Sequence, residues 1–290
     1  MGTQKGMFVD TSICTGCHAC QVACKQWNQL PMEDEQAVHF GNAFLATSYD
    51  NTGHLSATNW RHVKFIEQFS EDRKQARWLM MSDSCKHCVN AGCIEVCPTG
   101  ALFRTDFGAV DIHRDVCIGC RYCVGACPFG VISFNAEHEQ APHMVTGTVN
   151  KCVLCTDRVA NGLGTACAKA CPTSSLTFGN VDDLKRMAAS RIRALHSRGQ
   201  TDAYIYGWNL KEEGFDTPSH DLKVVGGLNV FYLLLDKPGV YGLPDTDPGL
   251  PQRNFAPSAG ASLVAAAVLG ITGVAAFRKR RMESAAEAAD

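Results

Sequence analysis

The 290-residue chain lacks several features that would assign it to a common functional class. Its formal net charge at pH 7 is −2, and aromatic residues are not interleaved with basic runs, so nothing indicates a nucleic-acid partner. The opening residues, MGTQKGMFVD, contain no apolar signal-peptide core. No Walker sequence occurs, no G-x-G-x-x-G follows a predicted strand, and no catalytic dyad or nucleophile motif is evident. We therefore expect no catalytic residue in this chain.

Cysteine, by contrast, is abundant, with sixteen residues in the chain. Disulfide frameworks are typical of short secreted chains that cannot build a core, and this chain is long. Structural zinc and iron–sulfur clusters remain as the two alternatives, and the spacing of the cysteines distinguishes them.

The cysteines form an internal repeat of four groups with none left over. Groups one and three share the spacing C-x2-C-x2-C-x3-C, group two has C-x2-C-x4-C-x3-C, and group four has C-x2-C-x11-C-x3-C. Pro98, Pro128 and Pro172 follow the last cysteine of groups two to four, whereas Lys25 follows group one. In order, the groups are Cys14, Cys17, Cys20 and Cys24; Cys85, Cys88, Cys93 and Cys97; Cys117, Cys120, Cys123 and Cys127; and Cys152, Cys155, Cys167 and Cys171.

These spacings favour iron–sulfur clusters over zinc. A [4Fe–4S] cube needs four thiolates, one for each iron, and three cysteines on one curling loop can hold three corners. Structural zinc sites use two separated C-x2-C pairs, a pattern that group four fits and group two fits less well. Groups one and three instead have the cysteine spacing of the bacterial ferredoxin run, and group three also has the proline that ends it. The sequence therefore predicts four [4Fe–4S] clusters.

In a ferredoxin run the fourth cysteine ligates the other cluster of a pair. If groups two and three form one unit and groups one and four another, four ligand sets follow as a hypothesis. We call them the first to fourth sets: Cys14, Cys17, Cys20 and Cys171; Cys24, Cys152, Cys155 and Cys167; Cys85, Cys88, Cys93 and Cys127; and Cys97, Cys117, Cys120 and Cys123.

The remaining pattern predicts an α+β fold with two ferredoxin-like units, short strands and short helices, and no large apolar core. Strands are expected at 101–103, 131–134 and 175–178, each after a cysteine group, and strand character also marks 60–69. A helix is expected over 181–199, capped by Asp182 or Asp183 and ended by Gly199. Strands at 204–206 and 228–235 can form a hairpin.

The expected domain organisation follows the cysteine groups. Residues 1–30 and 136–180 form one ferredoxin-like unit, and residues 81–135 form the other, with 31–80 as an insertion. The rest of the chain divides into a structural cap at 181–250, a linker at 251–258, a transmembrane helix at 259–277 and a cytoplasmic tail at 278–290.

The membrane assignment depends on a stretch without charge, residues 254–277. A spanning helix needs about 20 apolar residues, and residues 259–277 come close to that length. A buried helix is the alternative, because the segment is rich in alanine and glycine. The Pro- and Gly-containing linker before it and the RKRR run at 278–281 favour the membrane, with the cationic end in the cytoplasm and the cysteine-rich region on the outer face.

Polar residues inside the motifs have two interpretations. His18 and His87 are expected outside the ligand sets, because each group already supplies four thiols. Four cations next to cysteines either raise the potential of a nearby cluster or are ordinary solvated side chains: Lys25, Lys86, Arg121 and Lys151.

The whole chain resembles the iron–sulfur (β) subunit of respiratory membrane-bound formate dehydrogenases, within the four-cluster subunits of molybdopterin oxidoreductases. Relatives that serve nitrate reduction replace one cysteine by tryptophan, but Cys120 stands at that position here, so four cubes are expected. The resemblance is carried by the four cysteine groups, residues 20–28 (CQVACKQWN), 49–51 (YDN), 55–57 (LSA), Trp60, 152–159 (CVLCTDRV), 241–244 (YGLP) and a single C-terminal apolar segment.

This resemblance implies a place in a larger complex. A catalytic subunit with molybdenum or tungsten on pterin cofactors would oxidise formate, and electrons would enter at the first set, pass the second and third, and leave from the fourth. A cytochrome b subunit would accept them and reduce quinone. The twin-arginine signal of the catalytic partner would export the folded complex to the outer face of the inner membrane.

Three other interpretations remain open. The chain can be the equivalent subunit of a membrane-bound hydrogenase or of a sulfur-compound reductase, although the stretch 49–60 favours formate. A zinc-binding scaffold without redox function and a free-standing soluble polyferredoxin are alternatives of a different class.

Overall fold

The computed structural model describes residues 3–31, 53–136 and 144–287. Within them, residues 1–248 contribute one compact unit and residues 249–290 a second. Residues 49–51, which carry part of the resemblance, lie outside the described residues. So do the rest of residues 32–52, which belong to the insertion predicted at 31–80, and the last three residues of the predicted tail.

A five-stranded sheet organises the first unit. It combines β1 (Lys5–Asp10), β8 (Leu176–Asn180), β9 (Tyr204–Tyr206), β10 (Ser219–His220) and β11 (Val230–Leu234) in the order β10-β9-β11-β1-β8. The β1 strand runs parallel to β11 and antiparallel to β8, so the N-terminal segment joins residues from the distant end of the unit.

This sheet forms an apolar core. Every residue of β11 is buried, and Phe8 of β1 stacks on Phe231 with ring centroids 5.5 Å apart. Our expectation that the fold has no large apolar core is therefore wrong. The reason is that β1 and β11 are paired across more than two hundred residues of sequence, a parallel contact that no local pattern reveals.

One long helix packs on β1 and β8 and confirms the helix predicted after residue 180. It is α6 (Val181–His196), whose buried residues recur at helical spacing, including Leu184, Ala188 and Ile192. The N-cap is Asn180 rather than Asp182 or Asp183, so the predicted cap is wrong. Both aspartates lie in the first turn instead, where their charge favours the positive end of the helix dipole.

A long antiparallel hairpin brings buried polar residues into the first unit. It pairs β2 (Arg61–Phe69) with β3 (Ala76–Ser84), which confirms the strand predicted over 60–69. The end of the hairpin that carries Arg61 is buried, whereas Phe69 at the other end is exposed.

The cysteine groups lie on short elements, as predicted. Strands follow groups two, three and four near the expected positions, and β9 and β11 form the expected antiparallel pair. The short elements are α1 (Ala19–Trp27), α2 (Gly92–Glu95), β4 (Leu102–Arg104), β5 (Val110–Ile112), α3 (Tyr122–Gly125), β6 (Ser133–Phe134), β7 (Val149–Asn150), α4 (Thr156–Ala160) and α5 (Ala166–Ala170).

The second unit contains α7 (Pro251–Glu287). Its segment Gly260–Arg281 has 22 residues and a mean hydropathy of 2.0, which makes it long and apolar enough to cross a membrane. The helix includes residues 251–258, which the sequence pattern assigned to a linker, and it begins at a proline, a residue that the first helical position accepts. The division of the first unit into two ferredoxin-like units remains a prediction.

Candidate metal centres

The loops of groups one and three fold alike because they need left-handed backbone at the same two places. Gly16 and His18 have φ of +65° and +59°, and Gly119 and Arg121 have φ of +66° and +62°. These residues occupy equivalent positions between the cysteines of the two C-x2-C-x2-C loops. The sequence repeat is therefore also a repeat of backbone conformation.

The last two cysteines of each group are separated by about one helical turn. Cys20 and Cys24 both lie on α1 and are both buried. Four residues of helix rise by about 6 Å, so the two sulfurs share a face but are displaced along the axis. The same x3 spacing starts on α2, α3 and α5 in the other groups. Such spacing suits two cysteines that belong to neighbouring centres.

A tight turn follows each Cys-Pro pair. Gly100, Gly130 and Ser174 have positive φ, and their N–H groups donate to the carbonyls of the group's last cysteine at 3.2–3.3 Å. The turn leads the chain directly into β4, β6 or β8. This is why the predicted strands follow the C-P motifs.

All sixteen cysteines are free, and the structure brings thiols from different groups together. Burial raises the pKa of Cys14, and repulsion from Cys171 of group four adds to it. The pKa of Cys24 is raised well above its usual value, first by burial and then by Cys152 and Cys167. Thiols of groups one and four therefore interact with each other.

Groups two and three meet in the same crossed manner. Burial raises the pKa of Cys88 far above its usual value, and Cys127 of group three contributes. The pKa of Cys123 is raised to about 11 by burial, then by Cys117 and Cys120 of its own group, and then by Cys97 of group two. Each of these contacts follows the crossed pattern of the sequence hypothesis.

Contacts also connect successive sets. Burial raises the pKa of Cys20 to about 11, and Cys167 of the second set contributes to the rise. Cys152 has its pKa raised to about 11 by burial, with a contribution from Cys85 of the third set. Burial raises the pKa of Cys93 of the third set, and Cys123 of the fourth set contributes to the rise. Electrostatic interactions between buried thiols thus link each predicted set to the next, from the first to the fourth.

Backbone and side-chain donors surround the sulfurs. The N–H of Leu154 donates to Sγ of Cys152 at 3.4 Å. The hydroxyls of Thr99 and Thr173 lie 3.8 and 3.7 Å from Sγ of Cys97 and Cys171. Sequence reasoning missed these threonines, although a repeated C-P-T marks both. Such donors stabilise the thiolate form that iron binds.

Two of the four cations near the thiols are buried rather than solvated. Lys86 and Lys151 are each about 1% exposed, which rules out the solvated interpretation for both. Lys86 pairs with Asp83, whereas Lys151 donates to the carbonyl of Cys152 at 3.0 Å. Arg121 is exposed and stacks on the ring of Phe134. Lys25 donates to Oδ1 of Asn59 at 3.0 Å.

The two histidines of the motifs differ in their surroundings. His87 is fully buried, and its Nδ1 accepts a hydrogen bond from the N–H of Val110 at 2.9 Å, so the ring proton lies on Nε2. Burial lowers the pKa of His87 well below its usual value, and Lys151 contributes, so the ring is neutral. Nδ1 of His18 lies 3.1 Å from Oε1 of Gln21.

The donor set fits [4Fe–4S] clusters. Buried thiols from two groups interact within each of the four predicted sets, and cysteine thiolate is the ligand of such clusters. Among residues 3–31, 53–136 and 144–287, no three His, Cys, Asp or Glu side chains converge on a single-ion site. Cube ligands need no such convergence, because each thiolate binds a different iron. The fold and this arrangement define the class of protein: a ferredoxin-like protein with paired iron–sulfur clusters.

Comparisons with known proteins agree with this class. Two family profiles described as a 4Fe-4S dicluster domain match residues 13–101 and 76–181. The formate dehydrogenase iron-sulfur subunit of Haemophilus influenzae is 38% identical over 241 residues, covering 82% of this chain and 67% of the relative. The nitrate-inducible formate dehydrogenase iron-sulfur subunit of Escherichia coli is 36% identical over 267 residues, covering 89% and 80%. The B subunit of the E. coli anaerobic dimethyl sulfoxide reductase is 36% identical over 186 residues, covering 64% and 78%.

This protein belongs to the family of formate dehydrogenase iron–sulfur subunits. The predicted cofactor content, four [4Fe–4S] clusters, is confirmed by the two dicluster matches together with the sixteen cysteines. The structure also identifies a buried residue that sequence reasoning missed, Arg61 of β2, which has no neighbouring cysteine in the sequence to mark it.

Proposed function

We propose that this chain is the electron-transfer subunit of a membrane-bound formate dehydrogenase. It relays electrons from a molybdenum- or tungsten-pterin catalytic subunit to a cytochrome b subunit and quinone. The observation that carries the proposal is the series of electrostatic interactions between buried thiols that links each predicted set to the next. Membership of the family supports formate as the electron source.

The proposed ligands are those of the crossed sequence hypothesis, and the thiol contacts between groups support them. The first set is Cys14, Cys17, Cys20 and Cys171, the second Cys24, Cys152, Cys155 and Cys167, the third Cys85, Cys88, Cys93 and Cys127, and the fourth Cys97, Cys117, Cys120 and Cys123.

When bound, the clusters supply one-electron transfer. The chain's own residues hold the thiolates, exclude water and fix the local charge. Apolar side chains including Leu30, Trp60, Val110 and Val149 pack between the cysteine groups in one core cluster. The low dielectric of this core strengthens every charge interaction within it. The chain itself carries no catalytic residue in this proposal.

The C-terminal helix anchors the complex in the inner membrane. The uncharged residues 254–277 of α7 extend about 36 Å as a helix, enough to cross the hydrocarbon layer of about 30 Å. The RKRR run at 278–281 stays in the cytoplasm by the positive-inside rule, which leaves the cysteine-rich unit on the periplasmic face. Protease added to intact spheroplasts should cleave the first unit, and complete protection of that unit would contradict this orientation.

A second electron source is favoured by one comparison. The similarity to the B subunit of dimethyl sulfoxide reductase covers 64% of this chain. In that alternative the same ligand sets serve a sulfur-compound reductase, and electrons run toward the catalytic subunit. Because this similarity covers less of the chain than the similarity to the formate dehydrogenase subunits, the sulfur-compound reductase is the second candidate.

The test is anaerobic purification of the chain from its native membrane, followed by identification of the proteins that accompany it and an assay of formate-dependent dye reduction. A co-purifying molybdopterin subunit, formate activity and about sixteen irons per chain, four for each cube, are expected. The same iron content with activity toward a sulfur compound or hydrogen, and none toward formate, would overturn the formate assignment.

A further inference from the structure

Arg61 is a buried cation held in a fixed position. The residue is 1% exposed and lies at the buried end of the β2–β3 hairpin. Its Nη1 donates to Oγ of Ser82 at 2.9 Å, and its Nη2 donates to Oγ of Ser84 at 3.0 Å and contacts Sδ of Met7 at 3.4 Å. These partners fix the guanidinium without neutralising its charge.

The described part of the chain provides no carboxylate partner for Arg61. The ion pairs found there involve other cations, including Lys86 and Lys64, which share Asp83. The Nε of Arg61 is buried and has no hydrogen-bond partner in the same part of the chain. A buried, unpaired guanidinium is strongly unfavourable unless negative charge lies nearby.

The thiolates of two neighbouring sets would supply that negative charge when they bind iron. The hydroxyl of Ser82, which accepts from Arg61, lies 3.2 Å from Sγ of Cys20, a member of the first set. The charge of Arg61 also lowers the pKa of Cys24 and Cys152, both of the second set, in opposition to the larger effect of burial. An arginine guanidinium stays charged at every pH at which a protein is folded, so the charge of Arg61 is fixed as well as its position.

We propose that Arg61 poises the first half of the relay by raising the reduction potentials of the clusters held by the first and second sets. Each added electron increases the negative charge of a cluster, and a fixed cation nearby stabilises the reduced form. Arg61 is a positioning residue in this sense, because it acts through charge and through Ser82 rather than as a ligand. The inference rests on the proposed ligand sets but not on formate as the electron source.

The contrast with Lys86 shows how Arg61 differs from another buried cation near the thiols. Lys86 lies close to Cys88 and Cys127 of the third set but forms an ion pair with buried Asp83. The negative charge of Asp83 partly cancels the effect of the Lys86 charge on the thiols around it. Arg61 acts at the junction of two sets with its full charge.

The experiment is an EPR-monitored redox titration of the anaerobically purified complex, with iron counted in every sample. Arg61→Gln removes the charge and keeps a polar side chain. Ser84→Asp leaves the arginine in place but gives it a carboxylate partner. Arg61→Lys keeps the charge, and Arg77→Gln removes an exposed cation from the same hairpin, where it pairs with Asp236.

Two of the four midpoint potentials should become more negative in both Arg61→Gln and Ser84→Asp. We expect the ratio of reduced to oxidised cluster at a fixed ambient potential to fall about tenfold, which corresponds to 59 mV for a one-electron couple. Arg61→Lys should retain most of the wild-type values, and Arg77→Gln should retain all of them.

Full iron content with four unshifted potentials in Arg61→Gln or Ser84→Asp would overturn the inference. So would an equal shift in Arg61→Lys, which would indicate packing rather than charge, or loss of clusters from both neutralised variants, which would assign Arg61 a structural role. A wild-type complex with four titrating clusters and no formate activity would contradict only the proposed formate function and leave this test intact.

Discussion

At the scale of single residues, the x3 spacing separates thiols that neighbour each other in the sequence. Cys20 interacts with Cys167 and Cys14, whereas Cys24, one turn further along α1, interacts with Cys152, Cys167 and Cys155. In the proposed sets, this single helical turn places the two cysteines in different clusters. The crossed ligand sets remain a prediction that cysteine variants can test.

Replacing Cys24 with alanine should remove the EPR signal of the second cluster and spare that of the first. The Cys24→Ala and Cys152→Ala variants should therefore lose the same signal, while Cys20→Ala and Cys14→Ala should share the loss of another. The measurement is low-temperature EPR of reduced samples with iron counted. A Cys24→Ala spectrum that matches Cys14→Ala instead would refute the crossed assignment.

Replacing Gly119 with alanine should destabilise the loop of group three. Its φ is +66°, and an added Cβ would lie 2.1 Å from the carbonyl oxygen of Gly147. Left-handed strain costs about 1–3 kcal/mol, and the overlap with backbone adds to it. The Gly125→Ala variant is the matched control, because Gly125 lies on α3 with open space around it. Thermal unfolding of the anaerobic protein should show a lower midpoint for Gly119→Ala only, and equal midpoints would contradict the loop geometry.

At the scale of elements, the five-stranded sheet supports the cysteine loops. β1 leads directly into group one, and β8 follows group four. Because β1 and β8 are hydrogen-bonded neighbours, the start of group one lies beside the end of group four. These two groups supply the cysteines of the proposed first and second sets. The sheet therefore positions the ligands, although it contributes none.

The core of this sheet should carry a large share of the stability of the first unit. Phe231→Ala removes a fully buried ring that stacks on Phe8, and a change of this kind costs about 3–5 kcal/mol. Phe69→Ala deletes the same side chain at a position that is 59% exposed, so the loss of unfolding free energy should be at most about 0.5 kcal/mol. Urea unfolding of the two variants compares them directly. Similar midpoints would contradict the sheet as the structural core.

The helix α7 offers a further test at the element scale. Its side chains Leu269 and Ile271 are apolar and lie near the middle of Gly260–Arg281. Lysine at the centre of a spanning helix costs about 2.5–3.5 kcal/mol for each substitution. We therefore expect the double change Leu269→Lys and Ile271→Lys to release the chain during carbonate extraction of membranes.

Thr272→Ser is the matched control for the lysine variant, since it changes a neighbouring position without adding charge. It should leave the chain in the membrane pellet. Retention of the double lysine variant in that pellet, when the cytochrome partner is absent, would contradict a membrane-spanning role of α7.

At the scale of the whole molecule, the sequence predicted best what depends on local spacing. Cysteine spacing identified the cofactor, and the C-P turns located the strands that follow them, because ligand geometry and turn geometry act over a few residues. The helix Val181–His196 was predicted for the same reason, from its periodicity.

What the sequence did not predict depends on contacts between distant segments. The pairing of β1 with β11 has no local signature, and the strand β1 was not predicted at all. Arg61 was missed because its relation to Cys20 and Cys24 exists only after β2 folds beside α1. Burial of Lys86 and Lys151 could not be seen in a sequence where both stand next to polar residues and cysteines.

In the proposed relay, electrons from formate reduce the clusters held by the four thiol sets. The most direct measurement is EPR of the anaerobically purified complex before and after formate is added without any other reductant. We predict that formate produces the reduced-cluster signals that dithionite produces, and that Cys14→Ala, which disrupts the entry end of the relay, prevents their appearance at the fourth set. Clusters that dithionite reduces and formate does not would contradict the account.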